Sequence, residues 1–208
     1  ELPEGLSLEI VDTTAARVNH GRNVTVPTAV GFCMYIKRAC LREVGEFDFE
    51  TWGKGYGEES DFSQKAIRLG WRNVLAGDVV VYHEGGVSFG SSADARRTNA
   101  QAKMRALHPD YERSVDTWLA RDPALSMRLA LLVALQSAQK LPVVMHITHP
   151  WGGGTERHIA QLTASLSDRA RHLVLTLRRS NESYHIELLL PDGAAWRRVH
   201  FAIADLMN

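Results

Sequence analysis

GKGYGEESDFSQKAIRLGW, residues 53–71, puts three glycines in five positions ahead of three carboxylates in four, Glu58, Glu59 and Asp61. Glycines at 53, 55 and 57 let the backbone turn sharply and let another group approach it closely. Beyond Asp61, the spacing of Phe62, Ala66 and Leu69 is that of one helix face, and Gly70 is a natural stop. The carboxylates therefore fall in the first turn of a helix. There the peptide dipoles favour negative charge by ~0.3–1 kcal/mol each. A well-capped acidic helix start is the plainer reading of this stretch. The sharper reading is that a cation or a hydroxyl group is meant to sit before it.

Moving outward, Ser7 opens a helix that runs to His20 and stops at Gly21. The apolar, β-branched run Thr25–Ile36 reads as a strand pair or a bulged strand, and Lys37–Val44 as a short helix ending at Gly45. Trp71–Ala76 and Val79–Tyr82 read as short buried strands, the second broken by His83-Glu-Gly-Gly. Ser91–Leu107, Asp110–Ala120 and Ala124–Lys140 read as three helices, separated by Pro109 and by Asp122-Pro123. The texture changes at Leu141. LPVVMHITH is a buried strand, PWGGG a tight loop, TERHIAQLTASLSDRA a helix with Thr155 as its N-cap and Ile159, Leu162 and Leu166 on one face, and RHLVLTL a second strand. Strand, glycine loop, helix, strand is the opening of a doubly wound sheet. The fold class is α/β, with its best break near residue 140.

Composition excludes more than it selects. Across 208 residues, 24 Lys and Arg balance 24 Asp and Glu, which gives no reason to expect nucleic acid as a partner. Cys33 and Cys40 form neither a disulfide framework nor a zinc spacing. The longest apolar run, Leu129–Leu135, is far short of the ~20 residues that span a bilayer. The chain opens at Glu1 and closes at Met207-Asn208, so both ends are expected to be cuts in a longer polypeptide.

Twenty residues after the carboxylates, VVVY ends in His83, at a strand end beside Gly85 and Gly86. A lone histidine there is more often structural than a ligand. A carboxylate near a histidine-bound divalent cation, however, is equipment for making a hydroxyl nucleophilic and for stabilising a diphosphate leaving group. Three features in this order, Gly45-Glu-Phe47, Gly57-Glu58-Glu59-Ser60-Asp61 and Tyr82-His83, closely resemble the C-terminal half of family 2 glycosyltransferases of the GT-A, nucleotide-diphospho-sugar transferase fold. The likeness is strong over 24–92 and extends over 1–108. It implies Glu59 as catalytic base where the family usually has Asp, with Glu58 as the alternative and Asp61 as the second acidic position. His83 would be the metal ligand, for Mn or Mg. Trp52, Gly55, Tyr56 and Gly57 would lie beside the acceptor, Trp52 and Tyr56 either stacking on a sugar or packing as core aromatics. Gly31 and Phe32 would wall the acceptor side or belong to the core. An Asp-x-Asp donor motif is missing, the nearest match being Asp48-Phe-Glu50, so 1–108 is expected to be a partial domain, inactive alone.

HITHPWGGGTERHIAQLTASL is similar to the opening of family 4, or group 1, glycosyltransferases of the GT-B fold. Gly152, Gly153, Gly154 and Glu156 would then form the substrate loop, where a helix N-terminus can meet an anion or a sugar. The plainer reading is a tight turn in any doubly wound protein. The loop lacks the G-x-G-x-x-G pattern of dinucleotide sites. Together the resemblances imply a partial GT-A domain over 1–108, a helical linker over 109–140, and the first βαβ part of a Rossmann-like GT-B domain over 141–208. The parent would be a tandem enzyme of bacterial surface polysaccharide synthesis, with a nucleotide-sugar donor and a glycan or lipid-linked glycan acceptor. It would work in the cytoplasm at the inner face of the cell membrane. Two rivals stand beside it: a metal-dependent hydrolase, which needs more ligands than the sequence clusters, and a non-catalytic module that binds glycan or nucleotide-sugar.

Overall fold

The computed structural model describes residues 5–53, 56–84, 93–137, 141–180, 183–192 and 195–202. Over these the chain is mixed α/β, with eight helices and two sheets. It divides into two compact units. One comprises residues 21–124; the other joins residues 1–20 to 125–208.

In the unit of residues 21–124, a two-stranded antiparallel ribbon pairs β1 (Asn23–Thr25) with β2 (Val74–Ala76). Helices α2 (Arg38–Val44), α3 (Phe49–Trp52), α4 (Glu58–Arg68), α5 (Ala93–Leu107) and α6 (Tyr111–Arg121) complete it. Phe62 and Ala66, one turn apart on α4, bury against Cys40 of α2, and Met34, Ile36, Leu41, Val44 and Trp71 close around them. Fully burying a large apolar side chain contributes ~1.5–3 kcal/mol. This small cluster thus fixes α4, and with it the acidic turn. The expected strand over Thr25–Ile36 is not formed beyond Thr25. Pro27 withholds a ladder donor, and Val30, Phe32 and Tyr35 are 59%, 51% and 92% exposed, so burial does not reward pairing. Val79–Tyr82 is likewise irregular, with Val79, Val81 and Tyr82 exposed.

The other unit contains α1 (Leu8–Val18), α7 (Leu125–Ser137), α8 (Gly154–Ser165) and a four-stranded sheet. Strands β3 (Val143–Thr148), β4 (Arg171–Ser180), β5 (Ser183–Asp192) and β6 (Ala195–Ala202) lie in that order. β3 and β4 are parallel across α8, in the register Val143 to Arg171 and Thr148 to Thr176. The next two pairings are antiparallel, so the sheet is mixed. Alternation along the strands sends Leu173, Leu188, Leu190 and Phe201 to one face, where they pack with Leu125 of α7. α1 begins at Ser7, whose hydroxyl accepts from the Ile10 N–H, and joins α7 where Asn19 donates its side-chain amide to the Met127 carbonyl at 3.1 Å. The N-cap of α8 is Gly153 rather than Thr155: the glycine backbone, at φ +87°, turns the chain where the sequence suggested a side-chain cap.

Candidate functional site

Gly57, at φ +101°, is the N-cap of α4 and supplies no side chain to its own helix. It also lies flat on Trp52. A Cβ at Gly57 would stand 2.3 Å from the indole ring, so glycine is needed here twice over. Trp52 is 8% exposed and takes the core role left open for it, with Lys103 Nζ 5.9 Å from its ring centroid. Tyr56 is half-buried, and Gly55 lies outside the described residues.

The three carboxylates of the first turn meet three environments. Asp61 is 2% exposed. Its Oδ1 accepts from His108 Nε2 at 2.7 Å and its Oδ2 from Lys65 Nζ at 2.6 Å. Arg68, which can only donate, reaches His108 Nδ1 at 2.9 Å. That contact makes Nδ1 the acceptor and leaves the proton on Nε2, facing Asp61. With both oxygens engaged, Asp61 is a structural carboxylate. It supports the start of α4, in the place the resemblance gave to the second acidic position. Glu58 is half-buried, and its Oε2 is buried without a partner among the described residues. Glu59 is half-buried and lies against Gly31.

The loop before Gly31 is tied along α4 by side chains the sequence reading passed over. Gln64 Nε2 donates to the Pro27 carbonyl at 2.7 Å, the Ala29 N–H donates to Ser63 Oγ at 3.1 Å, and Thr28 Oγ1 donates to Ser60 Oγ at 3.2 Å. Thus anchored, the loop carries Gly31 to Glu59: a Cβ at Gly31 would lie 3.8 Å from Glu59 Oε1. The next residue, Phe32, stacks on the His83 ring with centroids 4.3 Å apart and planes 14° from parallel. Two neighbouring residues of one loop therefore touch Glu59 and His83 respectively. His83 is exposed. The serines and Gln64 sit on the helix face next to the carboxylates, a signal readable only once the helix and its neighbouring loop are both placed.

The described residues gather no set of three metal-ligating side chains. His83 and the neighbouring described carboxylates do not by themselves make a complete site for Mn or Mg.

In the second unit, Gly152 and Gly153 both have positive φ, +72° and +87°, and Gly154 opens α8. Glu156 folds back over this turn: a Cβ at Gly152 would lie 3.3 Å from its Oε2. His149 accepts the Trp151 N–H on Nδ1 at 3.3 Å, and Trp151 is 86% exposed. Three groups that sequence reasoning missed lie on the sheet behind the loop. His146 Nε2 and His172 Nδ1 share a hydrogen bond of 2.9 Å. Burial pushes the His146 pKa down, and the neighbouring His172 and His158 rings add to the effect. Glu187, 3% exposed in mid-strand, is held by Arg178 at 3.0 Å and Arg198 at 3.4 Å. A glutamate inside the apolar run Ile186–Leu190 was the available signal, since a buried carboxylate demands cationic partners.

No family model, curated protein or solved structure matches the chain.

Proposed function

We propose that residues 21–124 form the acceptor side of an inverting glycosyltransferase of the GT-A type, and that residues 141–208 open a GT-B domain of the same tandem enzyme. The observation that carries the first part is the loop 27–32, which lays Gly31 on Glu59 and Phe32 on the exposed ring of His83. Glu59, unlike Asp61, is in no ion pair among the described residues, and glycine at 31 leaves space before its carboxylate. In this reading Glu59 takes the proton of an acceptor hydroxyl. The freed oxygen pair forms a bond to the anomeric carbon of a nucleotide-sugar, and the bond from that carbon to the diphosphate oxygen breaks, its electron pair leaving with the nucleoside diphosphate. Positioned proton transfer of this kind contributes about 10²–10⁴-fold to rate. The glycine turn at 152–154 supports the second part only as a strand–loop–helix that can face a polar ligand.

Glu58 provides a second reading of the base, because its Oε2 is buried and unpartnered among the described residues. The test is release of nucleoside diphosphate by the full-length polypeptide across a panel of nucleotide-sugars. Glu59→Gln should reduce transfer at least about 100-fold with its thermal melt unchanged. Survival of transfer in Glu59→Gln together with its loss in Glu58→Gln would move the role to Glu58. A wild type that binds donor or glycan and never transfers would favour the non-catalytic module.

A further inference from the structure

The face of the sheet opposite Leu173 and Leu188 is turned toward α8, and α8 does not fill it. No residue of the helix is buried. Ala160, Thr163 and Ala164, with Ser167 just beyond, line the gap and are all small. A cleft of about 590 Å³ remains between helix and strands. That volume falls within the ~300–1,000 Å³ typical of small-molecule sites. More than half of the residues lining it are polar or charged.

The two ends of the cleft differ in charge. Toward the glycine turn, Arg178 and Arg198 are matched by Glu187 and Glu156, and both arginines are turned to Glu187, at 3.0 and 3.4 Å. At the other end, where β4 begins, Arg171 has no lining carboxylate beside it, since Glu187 is level with Thr176, five residues along β4. The partners of Arg171 are neutral: one terminal nitrogen donates to Gln136 Oε1 at 3.1 Å and to the Pro191 carbonyl at 3.4 Å. Its Nε is buried without a partner among the described residues. A guanidinium stays charged, and a half-buried charge is unfavourable until an opposite charge meets it. The next residue, His172, also lines the cleft and is 4% exposed. Its Nδ1 is taken by His146 Nε2 at 2.9 Å, and its Nε2 is buried and unpartnered among the described residues. When Nδ1 accepts from His146, Nε2 carries a proton to donate. An uncompensated cation next to a buried, unused ring nitrogen suits a phosphate or carboxylate.

From His172 the cleft follows β4 past Val174 to Thr176, a run of about 13 Å. Its walls are mixed. Val174, Leu189, Ala160 and Ala164 are apolar, while Thr163 and Thr176 set hydroxyls among them. Thr148, level with Thr176, adds an Oγ1 that is buried without a partner among the described residues. A bare inorganic anion would occupy one end and leave these walls uncovered. A neutral sugar would leave Arg171 uncompensated. A sugar ring, apolar on its C–H faces and hydroxylated at its rim, suits the walls, and an anionic group on it meets Arg171.

We propose that this cleft binds a monosaccharide carrying one anionic group, a sugar phosphate or a sugar acid. The anionic group sits at the start of β4, against Arg171 and His172 Nε2, and the ring lies along Val174 and Leu189. The anion end is the one away from the glycine turn, and the whole site lies in the unit that holds the sheet, so it is independent of the transferase reading built on Glu59. The test is calorimetric titration of the full chain with glucose 6-phosphate and with glucuronate, beside glucose and inorganic phosphate. At least one charged sugar should bind saturably, roughly tenfold or more tighter than either glucose or phosphate. Preference for glucose 6-phosphate identifies the anionic group as a phosphate, and preference for glucuronate as a carboxylate. Arg171→Gln should weaken that binding at least roughly tenfold while the melting temperature holds, because no ion pair among the described residues is lost. If Arg171→Gln does not fold, Ala164→Leu, which fills the cleft, provides the same readout. Absence of saturation by both charged sugars overturns the proposal. So does binding that these variants leave unchanged, or glucose or inorganic phosphate binding as tightly as the charged sugars.

Discussion

Gly57→Ala tests whether the acidic turn is built on Trp52. At φ +101° any side chain is strained, at about 1–2 kcal/mol for a non-glycine residue in the left-handed region. The new methyl would also stand 2.3 Å from a ring that is itself 8% exposed. Forcing atoms into packed space of this kind costs about 1–3 kcal/mol more. The sum, about 2–5 kcal/mol, is a large part of the ~5–15 kcal/mol that holds a typical domain folded. Gly70→Ala is the control: Gly70 has φ +87° and nothing within 4 Å of its virtual Cβ, so it should show the backbone cost alone. Urea unfolding of both variants, followed by far-ultraviolet circular dichroism, gives the difference. A double-mutant cycle with Trp52→Leu should recover most of the excess, since the two residues are in contact. Equal losses in Gly57→Ala and Gly70→Ala would refute the packing argument, and with it the claim that Trp52 is the floor of the turn.

The remaining predictions concern single groups. Asp61→Asn should cost about 3–5 kcal/mol, nearer the low end because Lys65 is 38% exposed, by stripping a buried partner from Lys65 and His108; an unmoved urea midpoint would remove its structural role. His146 has its pKa lowered in the folded chain, mainly by burial, so the unfolded chain binds the proton more readily. Its share of stability is therefore full above about pH 6.5 and is lost as pH falls through the lowered folded value. The urea midpoint should drop more between pH 8 and pH 5.5 in wild type than in His146→Gln, and equal drops would contradict this. Cys33 is exposed, whereas the Cys40 thiol is buried with its pKa raised by burial first and by Glu43 second. A disulfide reagent should label one thiol quickly, with that phase absent in Cys33→Ser and the second thiol reacting only on unfolding.

What could be read from the sequence was what short-range periodicity dictates. Phe62, Ala66 and Leu69 marked one face of α4; the first two are buried, whereas Leu69, at the C-cap, is 48% exposed. The strand, glycine loop, helix and strand from Val143 to Ser180 stand within a few residues of where apolar spacing put them. The run Thr25–Ile36 misled because β-branched residues fit a half-buried pleat, and these residues have no pleat to join. The strands over 183–192 and 195–202 were not anticipated; their antiparallel pairing depends on contacts across strands rather than on local pattern. The same limit applied to the site. Glu59 and His83 were visible as residue types, but the tie between them is a loop held by Ser60, Ser63 and Gln64, polar side chains with no chemistry of their own.

Three like charges within one helical turn repel unless each has a separate means of relief, and α4 supplies them unequally. Asp61 is neutralised by Lys65 four residues on and by the hydrogen bond from His108. That leaves the helix N-terminus, worth ~0.3–1 kcal/mol per carboxylate, to Glu58 and Glu59. Both are half-buried, and among the described residues neither is held by a cation. A chain selected only to start a helix needs one such carboxylate, which Asp61 already provides while also locking α4 to the end of α5. Glu58 and Glu59 are not needed for that purpose, and Glu58 Oε2 is buried without a partner among the described residues. Their place beside a glycine and an exposed, stacked histidine suits the proposed role of accepting a proton from an acceptor, and that is why the decisive substitutions are at Glu58 and Glu59 rather than at Asp61.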